Sequence, residues 1–191
     1  QSTTMLLMAM AGEFDSAPEV AIFADTGWEP RAVYDHLAWL ESISTIPIER
    51  VSVGNIREDT LTGRLPSAGV QCEKAFITMP LYVDHRGKST PLRRQCTSEY
   101  KLRPLRACVR KHLEKYGARQ ADLWIGISTD EAHRMRDSGV GYIRNHYPLI
   151  EAGISRADCL KWCADHGYAI PPRSACIGCP FHRDSEWRRL Q

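Results

Sequence analysis

Two cysteines separated by two small residues lie in the stretch RSACIGCPFH, residues 173–182 of the 191-residue sequence. Cys176 and Cys179 could form a disulfide, supply half of a zinc site, act as a redox pair or bind part of an iron–sulfur cluster. The sequence contains seven cysteines, and an odd number does not fit a framework of disulfides. The opening apolar stretch has no basic residues before it, so we expect no signal peptide and a cytoplasmic location, where thiols stay reduced. These features favour metal or thiol chemistry.

Cys96, in the stretch RRQCTSEY at 93–100, is the best candidate for a third metal ligand. It lies among basic residues and just before a predicted helix, and both features favour a thiolate. Three thiolates could bind three irons of a 4Fe-4S cluster and leave the fourth iron open. Zinc is the alternative metal, because His182 follows Cys179 at a spacing that suits a site of three cysteines and one histidine.

Three other cysteines are predicted to be buried core residues. Cys159 and Cys163 lie four positions apart on one face of a predicted helix, and Cys108 lies next to the apolar stripe of another. Free cysteines in such positions behave as small hydrophobic side chains.

A basic block covers residues 91–119, where nine lysines and arginines are accompanied by only two acidic residues, Glu99 and Glu114. The whole chain has a formal net charge of +2, so positive charge is concentrated in this block. The block suggests an anionic ligand such as a nucleotide, a sulfate or an RNA backbone. The alternative is a solvated helix face. The side chains that could reach into an anionic pocket are Arg93, Arg94, Lys101 and Arg103.

Alternating strands and helices are predicted to position these residues in an α/β fold. The predicted strands cover 19–27, 46–54 and 121–129, and the predicted helices cover 2–12, 29–43, 104–116 and 155–167. Residues 55–92 are predicted to form a loop or lid that includes a hairpin within 76–88. The order strand, helix, strand implies a parallel βαβ unit. We therefore expect a single domain over 1–191, a three-layer sandwich with a mostly parallel, doubly wound sheet, and no membrane span.

Polar residues follow two of the predicted strands. Asp25 and Thr26 come after the first, and Asp130, Glu131 and Arg134 come after the third. Ligands of parallel α/β sheets bind at the carboxyl ends of the strands, so these residues could hold an adenylate or a metal–phosphate group. Ordinary surface turns are the alternative. The residues that could bind phosphate at the start of the first helix, or simply cap it, are Ser2, Thr3 and Thr4.

Several segments, in this order along nearly the whole chain, resemble the PAPS-reductase-like branch of the adenine nucleotide alpha-hydrolase (PP-loop) superfamily. The segments are QSTTMLLMAMA (1–11), IFADTGWEPRAVYDHL (22–37), RRQCTSEYKLRPL (93–105), WIGISTDEAHRM (124–135), YPLIEAGISRADCLKW (147–162) and SACIGCPF (174–181). The Gly/Ser-rich front half of the PP-loop is not among them. Each segment is weak evidence alone, and their shared order makes the resemblance specific.

The resemblance implies roles for individual residues. Ser2 and Thr3 would face the nucleotide phosphates, and three residues would line the adenine nucleotide: Asp25, Thr26 and Gly126. Relatives with a 4Fe-4S cluster use a Cys-Cys pair and a later CxxC. Gln95 replaces the first cysteine of that pair here, so the matching metal ligands are Cys96, Cys176 and Cys179. The candidate catalytic residues are Cys96, Asp130 and Arg134.

The resemblance also implies an activity, which is ATP-dependent adenylation of a carbonyl-type oxygen followed by sulfur transfer, with magnesium bound to the ATP. The acceptor would be an RNA or a small molecule, and a homodimer is a candidate assembly. A first alternative is a reductase of phosphoadenylyl or adenylyl sulfate. It would need a nucleophilic cysteine on a C-terminal tail, and no cysteine follows Cys179. A second alternative is a zinc-containing module that binds a nucleotide or nucleic acid.

Overall fold

A computed structural model of the chain describes residues 1–64, 66, 79, 82–91 and 95–188. The helices are α1 (Ser2–Met10), α2 (Arg31–Ile43), α3 (Ile56–Thr62), α4 (Arg103–Tyr116), α5 (Pro148–Glu151), α6 (Arg156–Asp165) and α7 (Asp184–Trp187). The strands are β1 (Ala21–Asp25), β2 (Ile48–Ser52), β3 (Tyr82–His85), β4 (Lys88–Pro91), β5 (Ala121–Trp124) and β6 (Ile143–His146). A π-helical segment, Thr97–Leu102, leads into α4, and a 3₁₀ segment, Thr129–Arg134, follows β5.

The protein is a mixed α/β protein, as the sequence predicts, and its strands form short pairs. In the described residues, β1 pairs with β2, β3 with β4 and β5 with β6. Strands β5 and β6 are parallel, with Ala121 opposite Ile143 and Trp124 opposite His146. Strands β3 and β4 form an antiparallel hairpin. Each of these sheets has two strands, so the described residues do not display the predicted three-layer arrangement around one doubly wound sheet.

The chain divides into two compact units. The first unit contains residues 1–21, 38–49 and 109–172, and the second contains residues 22–37, 50–108 and 173–191. In the first unit, α1 and α6 pack together around a core of Met5, Met8, Leu149 and Cys159. Ser155 caps α6 with its side chain and forms a reciprocal capping box with Asp158, which explains where this helix begins.

The core of the second unit is a cluster of Ile56, Met79 and Tyr100. Ile56 is the first residue of α3, a helix that the sequence analysis missed because it predicted a loop over 55–92. The signals for α3 are local. Asn55 accepts hydrogen bonds from the backbone N–H groups of Arg57 and Glu58, and Gly63 ends the helix in the left-handed region with φ of 68°.

The hairpin predicted within 76–88 is found in part, as β3 and β4, while residues 76–78, 80 and 81 lie outside the described residues. Arg86 and Gly87 form its two-residue turn, and both have positive φ, 55° and 74°. Two positive φ values in succession suit the right-handed twist of the strands that they connect.

The predicted helices at 2–12, 29–43, 104–116 and 155–167 correspond to α1, α2, α4 and α6. The predicted strands at 19–27, 46–54 and 121–129 correspond to β1, β2 and β5. The sequence analysis missed β6, which has only four residues and a mixed polar sequence, IRNH. In the described ranges, none of the helices has both the length and the apolar character that a bilayer span requires.

Candidate metal centre

The CxxC forms a tight turn in the second unit. The backbone N–H of Cys179 donates to the carbonyl oxygen of Cys176 at 3.0 Å, and the N–H of His182 donates to the carbonyl of Cys179 at 3.1 Å. The imidazole of His182 reaches back, and its Nε2 lies 2.8 Å from the carbonyl oxygen of Cys176. Because a carbonyl oxygen only accepts, Nε2 carries the proton in this contact. His182 therefore fastens the turn.

Both imidazole nitrogens of His182 have partners, which bears on the zinc alternative. Nε2 holds the Cys176 carbonyl, and Nδ1 lies 3.6 Å from a carboxylate oxygen of Glu186. Glu186 also forms an ion pair with Arg173, and Trp187 packs edge-on against the imidazole. A zinc ion bound through His182 would have to displace one of these contacts.

Trp28 packs directly on the CxxC turn. Its carbonyl oxygen accepts a hydrogen bond of 2.8 Å from the backbone N–H of Ile177. A Cβ atom on Gly178 would lie only 2.2 Å from the indole ring of Trp28. Only glycine allows this close approach of the turn to the ring.

A buried carboxylate lies next to Cys176. Glu29 is 3% exposed, and its side chain accepts hydrogen bonds from the hydroxyls of Thr26 at 3.3 Å and Ser174 at 3.1 Å. The ammonium of Lys101 lies 3.9 Å from the same side chain. The sulfur of Cys176 lies 3.8 Å from Glu29 Oε1 and 3.2 Å from Thr26 Oγ1. Two hydroxyls and one cation thus compensate for the burial of this charge.

Cys96 and Cys176 belong to the same region of the second unit. Both pack against the cluster of Ile56, Met79 and Tyr100. Burial raises the pKa of the Cys176 thiol, the hydrogen bond with Thr26 opposes this shift, and the nearby carboxylate of Glu29 raises the pKa further. Cys96 is the residue just before the π-helical segment, as the sequence analysis expects for a residue that precedes a helix. All six cysteines in the described part of the chain are free thiols.

As they stand in the described residues, the three candidate sulfurs do not lie close enough together to share one zinc ion. Within the described residues, the sulfurs of Cys96, Cys176 and Cys179 are not gathered within 4.8 Å of one another. Zinc–sulfur bonds of about 2.3 Å in a tetrahedral site would require sulfurs about 3.8 Å apart. In a cluster each thiolate binds a different iron, so a wider spacing is suitable.

The turn after β1 is fixed by its own side chains. Asp25 Oδ1 accepts hydrogen bonds from the backbone N–H of Gly27 at 2.8 Å and from the hydroxyl of Tyr34 at 2.9 Å. Burial raises the pKa of Tyr34 to about 12, and the hydrogen bond to Asp25 contributes to the increase. Thr26 is 1% exposed and faces Glu29 and Cys176. Of the two residues predicted to line a nucleotide, Asp25 thus fixes the turn after β1, and Thr26 contacts Cys176.

The start of α1 lies in the first unit. Ser2 is exposed and Thr3 half-buried, whereas Thr4 is 1% exposed and its hydroxyl lies 3.4 Å from the sulfur of Cys163. A Cβ atom on Gly126 would lie 2.6 Å from the Cα of Ser2, so glycine is needed where the chain passes the helix start. Of the three predicted phosphate ligands, Ser2 is the exposed one.

Asp130 and Arg134, the two catalytic candidates that follow β5, have local partners in the first unit. Asp130 accepts hydrogen bonds from the backbone N–H of Arg156 at 2.6 Å and from the Ser128 hydroxyl at 3.2 Å. The first of these contacts is the main reason that the pKa of Asp130 is below its ordinary value. Arg134 forms an ion pair with Glu131. Asp130 thus anchors the start of α6, and Arg134 stays partly exposed.

The predicted site residues are divided between the two units. The second unit contains Cys96, Cys176, Cys179, Thr26, Asp25 and Lys101, and the first contains Ser2, Thr3, Thr4, Gly126, Asp130 and Arg134. Arg93 and Arg94 lie outside the described residues. The burial predicted for Cys108, Cys159 and Cys163 is confirmed, with 5%, 1% and 0% exposure.

Glu29 and Ser174 are the residues that the sequence analysis missed. Glu29 lies in the quoted stretch DTGWEP, four residues after Asp25, and Ser174 lies two residues before Cys176. Their positions close to predicted site residues could have indicated a role in the site. Only the fold shows that Ser174 donates a hydrogen bond to Glu29. A comparison with models of protein families gave no match, and a search of curated proteins found no similar sequence.

Proposed function

We propose that this protein is an iron–sulfur enzyme of the PAPS-reductase-like, PP-loop type, which adenylates its acceptor with ATP and then transfers sulfur to it. The observation that carries the proposal is the packing of Cys96 and Cys176 against one buried cluster, with Cys179 in the same tight turn as Cys176. Three free thiols in one unit are a donor set for a 4Fe-4S cluster with one open iron.

The residues around the thiols would hold these ligands in place. Cys96, Cys176 and Cys179 would bind the cluster, which would supply an iron with a position open to sulfide. Glu29 fixes the side chains of Thr26 and Ser174, and these contacts hold the turn that carries Cys176. Trp28 packs against Gly178 and holds the turn in position. Lys101 limits the negative charge beside the thiolates.

The nucleotide chemistry would use the start of α1. Backbone N–H groups at a helix start, together with Ser2 and Thr3, suit the phosphates of ATP bound with Mg²⁺. The acceptor oxygen would attack the α-phosphorus of ATP, and pyrophosphate would leave with the electrons of the broken P–O bond. A sulfide equivalent would then add to the activated carbon, and AMP would leave with the original oxygen. We propose Asp130 and Arg134 as the residues that position the adenylate.

The same proposal includes two statements about the fold, which are a single PP-loop-type domain and a three-layer doubly wound sheet. It also includes a cytoplasmic location and an RNA or small-molecule acceptor. One zinc ion would need the three sulfurs closer together than they stand in the described residues, where they do not all lie within 4.8 Å of one another.

The test separates metal binding from nucleotide binding. We expect anaerobically purified protein to contain iron and sulfide and to bind Mg²⁺–ATP in equilibrium dialysis. Cys96→Ala should lose the iron and keep ATP binding, whereas Gly126→Ala should lose ATP binding and keep the iron, because its Cβ would displace Ser2. Cys159→Ala, which removes a buried thiol of the first unit outside the proposed ligand set, should keep both.

The activity itself would be measured as pyrophosphate exchange into ATP in the presence of cellular RNA. Wild-type protein that contains iron but binds no ATP would contradict the adenylation half of the proposal. Wild-type protein that binds ATP but contains one zinc and no iron would contradict the cluster half.

A further inference from the structure

The first unit contains a cavity that the proposed function does not use. Its volume is about 390 Å³, within the range of small-molecule sites. It lies beside the β5–β6 pair, between the segment that follows α1 and helix α5. Its lining includes four acidic residues and two aromatic residues, which are Glu13, Asp15, Asp122, Glu151, Phe14 and Trp124.

The cavity is acidic. Four carboxylates line it, and its described lining contains no lysine or arginine. Arg144, from outside the lining, neutralises Asp122 through two hydrogen bonds of 2.8 and 2.9 Å. Glu13 and Glu151 accept hydrogen bonds from neutral groups, which are the Trp162 indole N–H and the Tyr147 backbone N–H. His146 lies between Asp122 and Glu151, with nitrogen–oxygen distances of 3.3 and 3.7 Å. Negative charge therefore remains on Glu13, Asp15 and Glu151, and among the described lining residues the imidazole of His146 is the group that could offset it.

An aromatic wall accompanies this charge. Phe14 and Trp124 pack edge to face with ring centroids 5.4 Å apart, and both rings are half-buried. Ring faces attract cations, and alkyl chains pack well on them. Carboxylates beside aromatic rings are the combination that recognises organic ammonium ions.

The carboxylates of the cavity do not surround one common point. In the described part of this unit, the ligand atoms of its acidic and histidine residues do not come together in groups of three within 4.8 Å beside the cavity. A calcium or magnesium ion needs several oxygen ligands around one point. Separated carboxylates instead match a ligand that carries its positive charges at separate positions.

We propose that this cavity binds an aliphatic polyamine. Its ammonium groups pair with Asp15, Glu151 and Glu13, and its methylene segments lie against Phe14 and Trp124. The inference does not depend on the proposed function.

The test uses spermidine as the probe and isothermal titration calorimetry of the full chain. Wild-type protein binds spermidine, and the double variant Asp15→Asn with Glu151→Gln binds it about tenfold more weakly, since each exposed ion pair contributes a few-fold. The matched control Asp137→Asn removes one exposed carboxylate of the same unit outside the cavity, and its affinity stays within about twofold of wild type. Circular dichroism verifies that each variant is folded.

A second measurement locates the ligand. Spermidine shifts the indole N–H signal of Trp124 in an NMR spectrum, with Trp124→Phe used to assign the signal. Three results would each overturn the proposal: no binding by wild-type protein at millimolar spermidine, equal affinity in the double variant, or displacement of spermidine by magnesium at matched ionic strength.

Discussion

The two units bury different kinds of polar groups. In the described residues of the first unit, the buried polar side chains are the hydroxyls of Thr4 and Ser128. In the second unit they include two carboxylates, Glu29 and Asp59. Asp59 accepts a hydrogen bond of 2.7 Å from Tyr100 and pairs with Arg64 at 2.9 Å. Burying a charge costs several kcal/mol unless partners compensate for it, so the second unit depends more strongly on a complete polar network.

This difference indicates which unit should be more sensitive to substitution. The cysteine turn lies in the unit with the buried carboxylates, and one of them, Glu29, contacts Cys176. A change of one partner there should affect both stability and the thiols. Changes at the buried hydroxyls of the first unit should have smaller effects, because a neutral hydroxyl loses less when it loses a partner.

The largest effect is expected at Glu29. Glu29→Leu removes the acceptor for the hydroxyls of Thr26 and Ser174 and the anionic partner of Lys101, whose side chain is partly exposed. We expect the free energy of unfolding to fall by about 3 kcal/mol, as measured by urea denaturation, because the buried Thr26 hydroxyl loses its acceptor and the leucine cannot replace the network. Glu29→Gln keeps an acceptor oxygen and should lose roughly 1 kcal/mol. Equal losses in the two variants would show that this network does not stabilise the unit.

Tyr100→Phe tests the second buried carboxylate. Tyr100 is 0% exposed, and the variant removes only the hydroxyl that donates to Asp59. We expect a loss of about 2 kcal/mol in the free energy of unfolding, because the acceptor is a charged group. The control in the first unit is Thr4→Val, which removes a buried hydroxyl whose partner is a thiol and should cost less than about 1 kcal/mol. The reverse order would contradict the comparison.

Gly178→Ala tests the contact between the CxxC turn and Trp28. The added methyl group would meet the indole at 2.2 Å, so we expect a loss of roughly 1–3 kcal/mol in the free energy of unfolding. The iron content should fall in the same variant. Gly141→Ala is the matched control, because a Cβ there meets nothing within 4 Å. A stable Gly178→Ala protein with full iron content would show that the turn tolerates displacement of Trp28.

The smallest expected effect is the pH dependence that arises from Cys176 in metal-free protein. Burial raises the pKa of this thiol. Its contribution to stability is therefore complete below the unfolded-state pKa of about 8.5, and it is lost as the pH rises toward the raised folded-state value. Urea denaturation from pH 7 to 10 should show this loss in wild-type protein and not in Cys176→Ser. Parallel curves for the two proteins would contradict the assignment.

The sequence predicts those parts of the fold that have strong local signals. Helix α6 was predicted from Ser155 and Gly167, and its capping box is present. Helix α3 has an equally good cap in Asn55 but lies beside a stretch rich in glycine and proline, which hid it. Strand β6 is stabilised by its parallel neighbour β5 and carries little periodicity of its own. The sequence also indicates Cys96, Cys176 and Cys179 as candidate metal ligands. It does not reveal the contacts of Glu29 with Ser174 and Cys176, because these residues lie 145 and 147 positions from Glu29 and only the fold brings them together.

The most direct test of the central claim is the metal content of anaerobically purified wild-type protein and its Cys96→Ala variant. We expect a brown wild-type protein with about four irons and four sulfides per chain and absorbance near 400 nm, and a colourless variant without iron. Two remaining thiolates would not retain the cluster. A colourless wild-type protein with one zinc, or a Cys96→Ala variant with unchanged metal, would contradict the convergence of the three sulfurs on one centre.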